Sequence, residues 1–422
     1  MSSDPILLFT DRLPCPNYSS ICPLKDGRLL WVSGQCRAEP RGAMRAMHSE
    51  DGGRTWSQPS DLKHENGDPL LGVFNVSLFR MPDGNLGLIQ EAVVKAHFYG
   101  DADTSICFYV SCDEGQTWSA PVQIHHDVEK PDMSYDLVKV LTNGRIVVPV
   151  YGVIGVKTPP EAKWGLQRFG ENFGSEGYGL AHSYVYYSDD LGRTWRRSRN
   201  SVHVVMEGGA GGGFSFGEPE VIELKDGRLM MFGRVNLGRI FQSFSDDRGE
   251  TWGAAEPADL ATYAAPIRLR RIPTTGDLVV FWSQLSQWEM MSGLYRHRLS
   301  CAISKDEGQT WGHFKNLASL DDVTRIEPQP PQVNMVGPIR QPIDRVRYHR
   351  APGPLRCNDP TCTFLNGNAI ISHGYWHFGD RNVIEKTYGL KYEDVLQQHG
   401  LDPTGKGRAT RVQVLPIDWF YN

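Results

Sequence analysis

The chain has little that would take it to a membrane, a nucleic acid or a metal. No stretch approaches the roughly 18 consecutive apolar residues of a membrane-spanning helix. Lys and Arg number 44 against 49 Asp and Glu, a formal net charge of −5, and no basic stripe stands out. The electrostatic footprint of a nucleic-acid binder is therefore missing. The 8 Cys are scattered without a C-x-x-C pair, although Cys357 and Cys362 lie close in sequence. That spacing gives no metal-ligand pattern and reads as reduced, buried thiols, so neither a metal nor another cofactor is expected. The opening Met1-Ser2-Ser3-Asp4-Pro5-Ile6 has no positive segment followed by an apolar one. A cytoplasmic location is the corresponding expectation.

What the chain has instead is a motif written five times. The copies are Ser49–Trp56, Ser111–Trp118, Ser188–Trp195, Ser245–Trp252 and Ser304–Trp311, and their shared pattern is S-x-D-x-G-x-T-W. Repetition on this scale marks an array of like units. In each copy the Asp can accept hydrogen bonds from backbone N–H groups a few residues on, closing a tight turn. The Gly supplies a positive φ. The Thr and Trp open the next strand, and the Trp is large enough to plug the gap between neighbouring units.

A second mark alternates with these Asp boxes. Asp26-Gly27, Asp83-Gly84, Asn143-Gly144, Asp226-Gly227, Thr275-Gly276 and Asn366-Gly367 each precede a hydrophobic run. Such pairs between apolar runs are strong hairpin signals. Each unit then reads as strand, turn, strand, loop, strand, Asp box, strand. Four strands per unit make a propeller blade, and six turns make six blades. The expected fold is all-β: one six-bladed β-propeller of four-stranded antiparallel blades over residues 1–422. The sixth blade has no Asp box, and closure of the ring is expected to bring Ile6–Thr10 against the last strand, Arg411–Pro416.

This topology puts both turn types at one end of the ring, so the Asp-box carboxylates are structural. Loops at the opposite end converge on the axis, where propellers build ligand sites. Residues expected there include Glu39 and Arg37 after the second strand of blade 1, Glu91 and His97 after that of blade 2, and Asp136 at the start of blade 3. Glu218 and Glu220 start blade 4 and Arg234 ends its second strand. Arg268 belongs to blade 5, with Arg296 and His297 in its loop. Asp359, His373 and Tyr375 belong to blade 6, and His182 follows the long segment Gly152–Gly179. Paired carboxylates suit glycoside cleavage, and Arg suits an acidic sugar.

The five boxes resemble those of the sialidase (neuraminidase) superfamily. The stretch Gly217-Glu218-Pro219-Glu220 through Phe232-Gly233-Arg234 is the closest match. The resemblance implies that Glu218 assists a Tyr nucleophile and that Arg234 binds the sugar carboxylate. It suggests Tyr375 as that nucleophile, Glu39 as the nearest counterpart of the acid/base carboxylate, and Arg37 or Arg268 as further arms of an arginine clamp. Where sialidases open with Arg-Ile-Pro, this chain reads Tyr18-Ser19-Ser20-Ile21-Cys22-Pro23.

Three functions fit these residues. The first is a sialidase-like exo-acting glycoside hydrolase whose substrate is a terminal, acidic sugar. Since the opening Arg is absent, another sugar such as a uronate is expected to serve better than a sialoside. Glu218, Tyr375 and Glu39 would be catalytic, and Arg234, Arg37, Arg268, Glu91, His97, Asp136, His182 and His373 would bind substrate. The second is a lyase acting on uronate-containing sugars, with His97, His126, His182, Tyr184 and His373 as candidate acids and bases. The third is a glycan-binding propeller without catalysis.

Overall fold

The computed structural model describes residues 6–9, 18–34, 42–72, 75–95, 103–125, 131–154, 180–204, 215–235, 237–263, 265–286, 289, 296–319, 322–330, 355–377, 391–398 and 409–422. Twenty-four strands form six antiparallel sheets of four. Blade 1 runs from Ser19–Pro23 through Leu29–Ser33 and Arg45–Ser49 to Ser60–Asp61. Blades 2 to 5 repeat that plan from the inner strands Val76–Arg80, Lys139–Val140, Gly217–Glu223 and Arg268–Arg271. Blade 6 is assembled from both ends of the chain. Leu355–Leu365, Asn368–His377 and Ala409–Pro416 are its first three strands, and Ile6–Phe9 is the fourth. Ile6 pairs with Val412 and Phe9 with Ala409, so the expected closure is present.

The core is divided among the blade interfaces. Each of six buried clusters joins two adjacent blades; one, for example, brings Leu30 and Val32 of blade 1 against Leu86 and Leu88 of blade 2. The Asp-box Trp residues sit in these seams. Trp118 is fully buried in the seam between blades 1 and 2, and Trp56 meets Ile370 and Val412 of blade 6. Trp195 lies edge-on to Phe108 of blade 2, with ring centroids 5.6 Å apart, and is only partly buried.

The boxes share one local network. In the first, Asp51 Oδ1 accepts from the N–H groups of Arg54 (3.0 Å) and Thr55 (2.8 Å), while Thr55 Oγ1 donates to Oδ2 at 2.6 Å. The box Ser, which sequence reasoning gave no role, donates to the same carboxylate and accepts from the Gly N–H: Ser49 Oγ lies 2.9 Å from Asp51 Oδ1 and 2.8 Å from Gly53 N. Thr and Ser make the same contacts with Asp113, Asp190, Asp247 and Asp306. Burial opposes ionisation of Asp190, but the donors from Thr194 and Ser188 outweigh it and hold the carboxyl at about 2. The box Gly is left-handed as expected, and so is the residue before it, as at Leu191 (φ 62°) and Gly192 (φ 83°).

Candidate functional site

At the opposite end of the ring, three acidic residues stand where inner strands begin. Asp136, Glu218 and Asp359 belong to blades 3, 4 and 6 and have φ of 55°, 42° and 55°. None is a glycine, so each carries backbone strain of the kind found at functional sites. The ladders of blades 4 and 6 slip beside two of them, between Gly217 and Glu220 and between Asn358 and Thr361. A bulge of this type re-aims a side chain at the edge of a sheet. Here the acids form two layers.

The inner layer is a buried ion network across the axis. Arg270 donates to Asp136 Oδ2 and, at 2.8 Å, to Glu220 Oε1. Lys139 Nζ donates to the same Glu220 oxygen at 2.6 Å, and Glu220 is fully buried. Asp136 accepts from Ser20 Oγ of blade 1 at 2.7 Å and from the Cys362 N–H of blade 6 at 3.3 Å. Its own N–H donates to the Val76 carbonyl of blade 2. One carboxylate thus joins blades 1, 2, 3, 5 and 6. Burial, reinforced by Arg270, pushes the Lys139 ammonium down to about 8 despite the pull of Glu220. Burial opposes the charge on Arg270 as well, but Asp136 and Glu220 outweigh it and raise its pKa further.

The outer layer surrounds Tyr135. Glu218 Oε1 accepts from Arg234 Nη1 at 2.5 Å, and Glu218 Oε2 is buried without a hydrogen-bond partner among the described residues. Asp359 Oδ1 accepts from Arg296 at 3.3 Å, and Arg296 is itself left-handed at φ 53°. Tyr135 is buried between these pairs, in electrostatic contact with Arg268, Asp359, Glu218 and Tyr18. The Arg268 guanidinium stacks 3.8 Å from the Tyr135 ring centre, and Tyr18 meets that ring edge-on at 5.6 Å. Arg268 also donates to Ser134 Oγ (3.1 Å) and comes within 3.6 Å of Glu220 Oε2, linking the two layers.

Several expected site residues are elsewhere. Glu39, Arg37, His97 and His126 lie outside the described residues. Tyr375 is buried in the core between blades 5 and 6, with Arg411 3.6 Å above its ring. The reason is register: Ile371, His373 and Tyr375 alternate onto one face of their strand, and Ile371 and Tyr375 both pack in that seam. His373 bonds to the Gly374 carbonyl at 2.9 Å and to Gln413 at 3.3 Å, and burial takes its pKa down to about 4. His182 stacks on Tyr184 within blade 3. Glu91 is buried and accepts from Asn75 at 3.0 Å.

Arg270, Lys139 and Tyr135 were missing from the expected site. A charged residue interrupting an apolar inner strand was the available signal for the first two. A crevice on the turn face, bounded by Arg145, Arg228, Asp247 and Glu250, lies among structural turns. Its Arg145 and Arg228 are paired with Asp189 and Asp226. Among the described residues no cluster of His, Cys, Asp and Glu could hold a metal ion, and no helix is long and apolar enough to cross a membrane.

Residues 72–327 match the family of the BNR repeat-like domain. The chain belongs to that family. No curated protein matches it. Among solved structures, a protein of unknown function from Dyadobacter fermentans superimposes with a TM-score of 0.60 at 16% identity, over 99% of both chains. The intramolecular trans-sialidase of Ruminococcus gnavus, solved with oseltamivir carboxylate, gives 0.57 at 14% identity over 100% of this chain and 99% of its own. The Trypanosoma rangeli sialidase, solved with the inhibitor DANA, gives 0.54 at 13% over 95% of this chain, which spans only 55% of that protein. At these identities the likeness establishes the fold, the six-bladed propeller of the sialidase superfamily.

Proposed function

We propose that this propeller is a glycoside hydrolase that takes a terminal, acidic sugar at the inner-strand end, with Glu218 as a catalytic carboxylate. The observation that carries this reading is the state of Glu218. It is held in a strained backbone conformation, one oxygen is fixed by Arg234, and the other is buried and unpartnered beside Tyr135. A fold stabilised for its own sake would pair or remove such an oxygen, since leaving it unsatisfied costs about 1–3 kcal/mol. Asp359 is a second carboxylate facing the same tyrosine, as glycoside cleavage by paired acids requires. Arg234 and Arg296, each already held by a carboxylate, are the cations available to a substrate's acidic group. The solved structures of sialidases with sugar-like inhibitors on this fold add support by analogy.

The test is a panel of chromogenic glycosides, with sialosides and uronides included and near-ultraviolet absorbance followed to detect an unsaturated product. Hydrolysis of a uronide or another acidic glycoside is expected, with weaker or no cleavage of the sialoside. Glu218→Gln keeps the shape and should lower kcat by roughly 100- to 10,000-fold at an unchanged melting temperature. Wild-type turnover by that variant removes Glu218 from the chemistry, and an unsaturated product replaces hydrolysis by elimination.

A further inference from the structure

The phenol of Tyr135 is unusual for a buried tyrosine. Its side chain is 1% exposed, and no described residue hydrogen-bonds its hydroxyl. Buried Tyr hydroxyls ordinarily find a partner. This one has good reason to be in place, because the ring is clamped between the Arg268 guanidinium and the edge of Tyr18. A phenylalanine would satisfy both contacts without a stranded polar atom. Facing it is the second stranded atom, Glu218 Oε2. Both belong to the outer layer, and both have what a ligand would complete.

We propose that Tyr135 contacts the substrate: its hydroxyl and Glu218 Oε2 bracket one hydroxyl group of the bound sugar. The inference rests on the glycoside reading and names what that site recognises. Burial, with Asp359 and Glu218 adding to it and only Arg268 opposing, holds the phenol protonated, so Tyr135 offers a hydrogen-bond donor and is poorly suited to act as a nucleophile. Glu218 Oε2, if ionised, can only accept. The group that fits between a donor and an acceptor must accept from one side and donate to the other, which an alcohol does. A sugar carboxylate would accept from Tyr135 but repel Glu218, so the acidic group of the substrate belongs with Arg234 or Arg296.

Tyr135→Phe separates this role from a structural one. Removing a hydroxyl with no partner should leave the melting temperature of the free protein unchanged or raise it. Binding is then measured by calorimetry with glucuronic, galacturonic and N-acetylneuraminic acids. For the tightest of them, the variant should bind roughly tenfold more weakly than wild type. One singly deoxygenated derivative should bind wild type and variant alike, identifying the bracketed hydroxyl. A lowered melting temperature, an unchanged affinity, or a loss that persists through every deoxygenated derivative overturns the proposal. Turnover is scored separately on the glycoside panel. Turnover with an unchanged Tyr135→Phe affinity defeats the bracket but keeps the hydrolase. The expected binding pattern without any turnover keeps the bracket and defeats the hydrolase. Binding of none of these sugars defeats the bracket whatever the turnover.

Discussion

The two ends of this ring are built by opposite rules. At the turn end, five copies of one motif solve the same problem with the same local bonds. Each Asp-box carboxylate takes its donors from within four residues of itself. At the other end nothing repeats. Asp136 draws contacts from blades as far apart in sequence as Ser20 and Cys362, and Tyr135 and Glu218 keep polar atoms that no described residue satisfies. Local, repeated satisfaction is what stability alone selects. Long-range, incomplete satisfaction is what a ligand site needs, and the network beneath it holds that incomplete layer in place.

The sharpest way to break the comparison is to remove the cation of the axial network. Arg270→Met leaves Asp136 and Glu220 buried without their shared partner, although Lys139 still reaches Glu220. Stranding buried charge costs about 3–5 kcal/mol, and a value near 5 is expected because two carboxylates are affected. Equilibrium denaturation measures it. A loss below about 1 kcal/mol would make the network dispensable and the two ends energetically alike.

The next effect lies at the turn end and depends on burial. Trp118 is fully buried, whereas Trp195 is only partly so. Trp118→Ala should cost about 4 kcal/mol and Trp195→Ala about 2, since truncating a buried aromatic costs about 3–5 kcal/mol and a partly exposed one loses less burial. Full-chain denaturation of both variants decides it. Equal losses would show that the motif, and not the burial, sets the contribution.

These two predictions mark what sequence could and could not show. The turn end was legible because it is local: S-x-D-x-G-x-T-W contains both the carboxylate and its donors, so blade count and orientation follow from reading along the chain. The Gly before Gln116 or Arg193 announces its own φ. The site end was legible only where position along a strand suffices, as for Glu218 beside Arg234 or Arg268 near the axis. Arg270 and Lys139 meet Glu220 across three blades, and no spacing in the chain records that. Tyr375 looked like a site residue because it is polar and near the end of its strand. The alternation of that strand turns it into the seam between blades 5 and 6 instead. Tyr135 went unnoticed because nothing in the sequence says its hydroxyl lacks a partner.

The smallest effect concerns a residue that looks like chemistry and sits among structure. His373 is buried in blade 6, bonded to Gly374 and Gln413, and burial lowers its pKa from 6.5 to about 4. The folded state thus holds the neutral ring, while the unfolded chain takes up a proton below about 6.5. Between those two values the unfolded state binds more protons, so stability rises with pH across the interval. The contribution is complete above about 6.5 and disappears as pH falls through 4. A shift of this size corresponds to about 3 kcal/mol at most. The Asp-box carboxylates are also lowered, but their contribution is lost below about 4, outside this window. Half-buried His48 shifts in the same direction and adds a smaller slope. His373→Gln should therefore flatten most of the stability change between pH 4 and 6.5 while leaving the acid limb below pH 4 in place. Urea denaturation at half-unit pH steps gives both curves. An unchanged slope in the variant would show that His373 is not held neutral by its blade, and would return it to the residues that face the ligand end.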